Sequence, residues 1–229
     1  MKLTIPVLLS FNGGYLDTAG FLALQGLFTA HVTGNFVTLG AALVMGTTGI
    51  LSKLLALPVF CGVIILTRWV SYGATAGKWP QLRSMLTLKL VLLIIGAALA
   101  IGLGPFPNGD SPAALLTGMT FVAAMAIQNA AHRLHLGTEP PTTLMTGTTT
   151  QLMIDIADSL HGLAPEQRAA TRQRMGRLSR AIASFALGAA LAALLFHTLH
   201  MWCFVLPPIV AVITRCIARS TPQAPGGRP

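Results

Sequence analysis

From Leu90 to Gly104 the chain reads LVLLIIGAALAIGLG, without one charged side chain. Such a run is stable only inside a large protein core or in lipid. Only 9% of the 229 residues are charged, against roughly 25% in a soluble domain. That is too little charge to solvate a surface, so lipid is the expected surrounding. Six stretches of about 20 residues reach the length needed to cross a bilayer as helices. They lie near 4–28, 50–70, 85–104, 112–132, 180–199 and 200–217, and Pro207-Pro208 is expected to kink the last. Residues 1–219 are read as one transmembrane domain and 220–229 as a disordered cytoplasmic tail.

Two further apolar runs, TGNFVTLGAALVMG (33–46) and LMTGTTTQLMIDIA (144–157), are shorter. As helices of about 14 residues they reach ~21 Å, against a hydrocarbon core of ~30 Å. Lys and Arg placement decides whether they cross. If neither crosses and the N-terminus is inside, fourteen of the fifteen Lys and Arg fall inside and Lys53 alone outside. Lys78, Arg83, Lys89 and Arg133 then count as inner charges. If both cross, the split is ten to five. Cytoplasmic excess of Lys and Arg sets membrane orientation, so six crossings with two re-entrant half-helices are expected, both termini cytoplasmic, in a bacterial inner membrane. The net charge of +9 is loop charge of this kind. It forms no basic groove and implies no nucleic-acid partner.

Each half then has a crossing, a half-helix and two more crossings. Three crossings invert the second half relative to the first. Thr33-Gly34 returns 113 residues later as Thr146-Gly147, and LSK at 51–53 returns as LSR at 178–180. The expectation is an inverted 3+3 repeat, about 4–104 and 112–217. Between its parts, HGLAPEQRAATRQRMGRLSR (161–180) is a polar helical connector starting near Pro165. Its arginines suit anionic lipid or a cytoplasmic partner.

Irregular backbone at membrane depth must be buried by protein or line a wet cavity. A half-helix starting there leaves its first N–H groups without partners. Thr33, Asn35, Thr146 and Thr148 are residue types that cap such groups, and Gly34 and Gly147 permit close backbone approach. Two half-helix tips facing each other offer partial positive charge and N–H donors to an anion or small polar solute. Asp17, mid-way along the first crossing, is costly in lipid unless paired or wet. It is either a coupling residue or a structural acceptor for loop N–H groups. Gln128 and Asn129 stand at the corresponding place in the second half, as part of the polar cluster or as interhelical glue. His31 faces an outer vestibule. His132, His135, His197 and His200 read as interfacial residues, and Cys61, Cys203 and Cys216 as small apolar residues. No motif for a metal, cofactor or nucleophile is present, so no enzymatic activity is expected.

GGYLDTAGFLALQGLFTAHVTGNFVTLG resembles the YoaK family of bacterial inner-membrane proteins through Gly13-Gly14, Asp17, Phe28 and Thr33-Gly34-Asn35. AIQNAAHR and PTTLMTGTTTQL extend the likeness through Gln128-Asn129, Thr142, Thr143 and Thr146-Gly147-Thr148. The resemblance implies a six-span membrane protein, and no substrate or reaction, since that family's function is not established.

The favoured function is a small-solute or anion transporter or channel. Its site would lie between Asp17, Thr33, Gly34, Asn35, Gln128, Asn129, Thr146, Gly147 and Thr148. The alternative is a structural or regulatory membrane protein whose loop 161–180 docks a partner. A second copy of the chain is a further candidate partner. A transporter needs a wet cavity reaching the cluster, whereas a scaffold should hold it sealed.

Overall fold

The computed structural model describes residues 3–73 and 82–220. Lys2, Lys78 and the tail beyond Ser220 lie outside the described residues. Among those described, the chain is all helical: α1 (Ile5–Ala23), α2 (Gly34–Met45), α3 (Ile50–Gly73), α4 (Leu82–Leu103), α5 (Pro112–His135), α6 (Met145–His161), α7 (Pro165–Leu199), a 3-10 turn (His200–Val205) and α8 (Leu206–Ser220). Local chemistry fixes several ends. Pro112 and Pro165 start α5 and α7, where a missing N–H is harmless. Ser111 caps α5 by accepting the Ala114 N–H at 3.2 Å. Gly46, at φ +65°, closes α2 in the left-handed region that glycine favours.

Ile50–Val70, Leu82–Leu103, Pro112–His135 and the stretch Pro165–Ala218 are long and apolar enough to cross a membrane. α1 is not among them, because it is the buried axis of the bundle rather than a lipid-facing helix. Ser10, Asn12, Asp17 and three glycines dilute its apolar character, and most of its residues are buried. It is also shorter than the expected 4–28. Gln25 and Gly26, both at positive φ, turn the chain back after Ala23.

Two other expected boundaries shift. Nothing breaks the helix between Pro165 and Leu199, so the polar connector and the fifth apolar stretch are one helix of 35 residues, about 52 Å long. Pro207 and Pro208 do not kink a span. They occupy the first turn of α8, where proline is tolerated, and the break lies at His200 (φ +49°) and the 3-10 turn after it.

The packing follows a simple scheme. α1 lies against α7 and α8, α3 against α5, and α4 against α5 and α8. Among the described helices, α2 packs on α3 alone and α6 on α7 alone. The α1/α7 crossing is a backbone-to-backbone contact. A Cβ on Gly14 would strike the Phe185 carbonyl, and one on Gly188 the Phe11 carbonyl. Small residues allow this approach, and close packing then replaces the hydrophobic drive that lipid cannot supply. Phe121 and Phe204 stack at 4.9 Å in the core, with Gly96 under the Phe121 ring. The Tyr15 hydroxyl donates to the Cys203 carbonyl at 2.7 Å. Outward, Val37, Val44, Leu66 and Trp69 are exposed, as lipid-facing residues should be.

One end of the bundle is tied by two charges. Asp110 accepts the N–H groups of Gly49, Ile50, Leu51 and Ser52 at 2.8–3.2 Å, capping α3. Burial pushes its carboxyl up, but the four N–H donors outweigh that and hold it below the usual carboxylate range. Lys53, expected as a lone outer charge, is instead turned inward. Its ammonium donates to the carbonyls of Gln25, Gly49 and Thr48 at 2.6, 3.1 and 3.4 Å.

Candidate functional site

The segment between α1 and α2 is held by Asp17. Its Oδ1 accepts the N–H of Thr29 at 2.9 Å and of Ala30 at 2.6 Å, and its Oδ2 that of His31 at 3.0 Å. Three successive amides thus converge on one carboxylate that is 5% exposed. Of the two roles expected for Asp17, this geometry is that of the structural acceptor. The amides precede the Thr-Gly-Asn cluster rather than belonging to it.

Asn35 completes this arrangement. Its Oδ1 accepts the Phe28 N–H at 2.9 Å and its Nδ2 donates to the Phe28 carbonyl at 2.8 Å. The side-chain amide thus pairs with Phe28 as a strand neighbour would. Thr33, at the N-cap of α2, makes no capping bond, so the expected caps are not built. The chain enters α2 through a tight turn instead. Gly34, Asn35 and Phe36 donate to the carbonyls of His31, Val32 and Thr33 at 2.9–3.2 Å. These bonds use the first N–H groups, and the α2 tip is closed to a ligand. Gly34 has a separate role. A Cβ there would sit 2.5 Å from the His31 ring, so its absence seats that imidazole.

The second half is tied by neutral side chains. The Gln128 Nε2 donates to the Leu9 carbonyl at 2.9 Å and to the Thr142 hydroxyl at 3.1 Å, and its Oε1 accepts from Lys89 at 2.5 Å. Asn129 accepts the Thr143 hydroxyl at 2.8 Å. Gln128 and Thr142 are buried. Asp17 and the pair Gln128-Asn129 therefore do the same work, each binding the segment that leads into the next short helix, α2 or α6. They do not form one cluster, and among the described residues α2 and α6 are not packed on each other.

The α6 tip differs from the α2 tip. Leu144 stands at its N-cap, with no side-chain oxygen to offer, so the first turn lacks a cap. Thr148, expected as a cap, donates back to the Leu144 carbonyl at 3.0 Å, and Thr146 is exposed. Gly147 has open space where a Cβ would be. Before this tip lies a half-open groove of about 540 Å³, lined by His31, Pro141, Leu144 to Thr148, Gln151 and Leu178. A shallower hollow of about 740 Å³ follows the outer face of α6 past Thr149, Thr150 and Met153. So of the nine candidate residues, Thr146, Gly147 and Thr148 line open space. Asp17, Asn35 and Gln128 are sealed behind internal partners.

Two further charged groups are Lys89, which the sequence places among the inner charges, and Asp155, for which it leaves a pathway role and a cap equally open. Lys89, taken as an inner loop charge, is 1% exposed inside α4. Its signal was its position, flanked on both sides by apolar residues within one stretch. Asp155 forms a bidentate pair with Arg174 at 2.6 and 2.7 Å and also accepts Gln151 Nε2 at 2.8 Å. This fastens α6 to the polar part of α7, as no local pattern announces across 19 residues. Asp158, one turn on, is exposed.

A sequence model of a family described as a protein of unknown function (DUF1275) matches residues 5–217, nearly the whole chain. The chain belongs to the DUF1275 family. It is also 33% identical over 161 residues to UPF0700 transmembrane protein YoaK of Bacillus subtilis (strain 168), covering 69% of this chain and 68% of that protein. No solved structure matches. As a DUF1275 protein with a transmembrane relative and several long apolar helices, the chain is a multi-pass membrane protein. The DUF1275 match takes in α2, α6 and the groove between His31 and α6.

Proposed function

We propose that this DUF1275 chain is an inner-membrane transporter or channel for a small polar solute or anion, which it admits through the groove at the α6 tip. In this reading α1, α3, α4, α5, α7 and α8 cross the bilayer, α2 and α6 are re-entrant, and both termini are cytoplasmic. An inverted duplication is supported by the packing, which maps onto itself when α1–α4 are exchanged with α5–α8. The α1/α7 contact becomes α5/α3, α2/α3 becomes α6/α7, and α4/α5 becomes α8/α1. Thr-Gly stands at the start of both half-helices.

The observation that carries the reading is the uncapped first turn of α6 facing an open groove with His31 across it. Backbone N–H groups at a helix start favour negative charge or a polar acceptor. The duplicated halves differ here, because the α2 tip is closed by its own backbone. Asp17, Asn35, Gln128 and Asn129 act as the scaffold that holds the two segments, not as the path.

Cysteine accessibility tests this. In a background with Cys61 and Cys216 replaced by serine, Gly147→Cys should react with a water-soluble thiol reagent. Ala30→Cys, behind Asp17, should not. Failure of Gly147→Cys to react contradicts the reading.

The second reading is a structural or regulatory membrane protein whose Arg-rich stretch 161–180 docks a cytoplasmic partner. The sealing of Asp17, Asn35 and Gln128 favours it, and an absence of flux through the pure protein would select it.

A further inference from the structure

Lys89 is a buried cation without a counter-charge. It is 1% exposed within α4, and no ion pair to it is present among the described residues. All six acids of the chain are accounted for elsewhere. Asp17 holds the 29–31 amides, Asp110 caps α3, Asp155 pairs with Arg174, and Asp158 and Glu166 are exposed, while Glu139 lies in the loop after α5. α4 packs on α5, α8 and the 3-10 turn. Among the described side chains, the ionisable ones those elements turn inward are His132, Arg215 and Cys203, and α4 adds Arg83. None is an acid. His132 is bonded to the Pro140 carbonyl, Arg215 to the Thr87 hydroxyl and Arg83 to the Ala218 carbonyl. The Lys89 ammonium has three N–H donors and one bond, to Gln128 Oε1. Intramembrane ionisable residues are rare and mark ion or proton paths.

We propose that Lys89 is a proton-exchanging residue whose charge, relayed through Gln128 and Thr142, sets the opening of the groove at the α6 tip. This deepens the transport reading and rests on it. The relay follows from donor and acceptor counts. A charged ammonium only donates, so it fixes Oε1 of Gln128 toward itself and Nε2 toward the Leu9 carbonyl and the Thr142 hydroxyl. When the segment holding Thr142 moves enough to let a water molecule reach Nζ and take its proton, the amine gains a lone pair. The amide can then turn over, giving N–H to Lys89 and Oε1 to the Thr142 hydroxyl. The Leu9 carbonyl loses its donor, and the tie between α1 and the segment before α6 is weakened. Pro141 and Leu144, on either side of Thr142 and Thr143, line the groove. Loss of the tie therefore moves a groove wall.

The test reads groove opening directly, with no need to know the solute. Gly147→Cys, in the background without Cys61 and Cys216, is labelled with a methanethiosulfonate reagent in proteoliposomes between about pH 6 and pH 9. Rates are normalised at each pH to the same thiol in unfolded protein. With Lys89 present the normalised rate should change by about threefold or more, as a shifted two-state population requires. With Lys89→Met it should be flat. Gln128→Glu has no N–H to give the Leu9 carbonyl in either charge state of Lys89, so its profile should be flat and near the open rate. That flat profile decides the matter even if Lys89→Met fails to accumulate. A Lys89→Met profile equal to that of the parent, or a Gln128→Glu profile superimposed on it, overturns the proposal. No labelling of Gly147→Cys at any pH overturns the transport reading instead.

Discussion

The Asp17 carboxylate lies 2.6 Å from the Ala30 amide nitrogen and takes its hydrogen, between bonds from Thr29 and His31. This one side chain therefore holds the segment that folds back from α1 to α2. Asp17→Ala leaves three amides without an acceptor, each costing about 1–3 kcal/mol when buried. The expected result is a loss of about 3 kcal/mol or more, read as a lower thermal midpoint in detergent. Asp17→Asn keeps one acceptor oxygen and should fall between Asp17→Ala and wild type. A wild-type midpoint for Asp17→Ala would show that the amides find other partners.

Gly14 and Gly188 let α1 and α7 touch through their backbones. Overpacking a tight contact costs about 1–3 kcal/mol, so Gly14→Ala and Gly188→Ala should each lower the midpoint. Gly147→Ala faces open space and should not. Equal midpoints for all three variants would contradict the tight crossing.

The helix positions were legible in the sequence because long apolar runs and prolines act locally. The starts of α2 and α6 were legible too, since Thr-Gly marks both. The tips were not. Residue type made Thr33, Asn35, Thr146 and Thr148 look like caps, but backbone carbonyls of a tight turn satisfy the α2 amides. Lys89 was misplaced because charge counting treats every lysine near a span end as a loop residue. Its distant partner Gln128 belongs to another helix, and only tertiary packing brings the two together. The boundary expected at residue 180 failed because apolar character changes there while helix propensity does not.

Asp110 supplies a pH prediction. Its carboxyl is held below the ordinary range by four amides at the start of α3. A depressed carboxylate stabilises fully above its unfolded value of about 3.9, and the effect is lost as pH falls through the lower folded value. Asp110→Ala should cost about 1–2 kcal/mol at pH 7, as other lost caps do. The gap between wild-type and Asp110→Ala midpoints should narrow as pH falls below about 4. A gap that stays constant to the lowest pH tolerated contradicts the cap.

The pair Asp155–Arg174 fastens α6 to α7. Asp155→Ala should loosen α6 and speed labelling of Gly147→Cys, and Arg174→Gln should do the same. The exchange Asp155→Arg with Arg174→Asp should bring the rate back toward that of the parent. If the exchange behaves like the single variants, the charge pair does not set the position of α6.

Orientation is testable with single cysteines and an impermeant reagent on intact cells. Thr48→Cys lies on the side assigned to the exterior and should label. Thr138→Cys lies on the other side and should label only after permeabilisation. The reverse pattern, or labelling of both from outside, contradicts six crossings with two half-helices.

Solute flux tests permeation most directly. Proteoliposomes of the pure protein are loaded and followed by light scattering against a panel of small anions and neutral polar solutes. The comparison is with Gly147→Trp, whose added ring points into open space and should leave the midpoint unchanged. The expected result is flux of at least one solute above that of empty liposomes, lowered about tenfold or more in Gly147→Trp. Flux equal to that of empty liposomes for every solute, or flux untouched by Gly147→Trp, would contradict a path at the α6 tip.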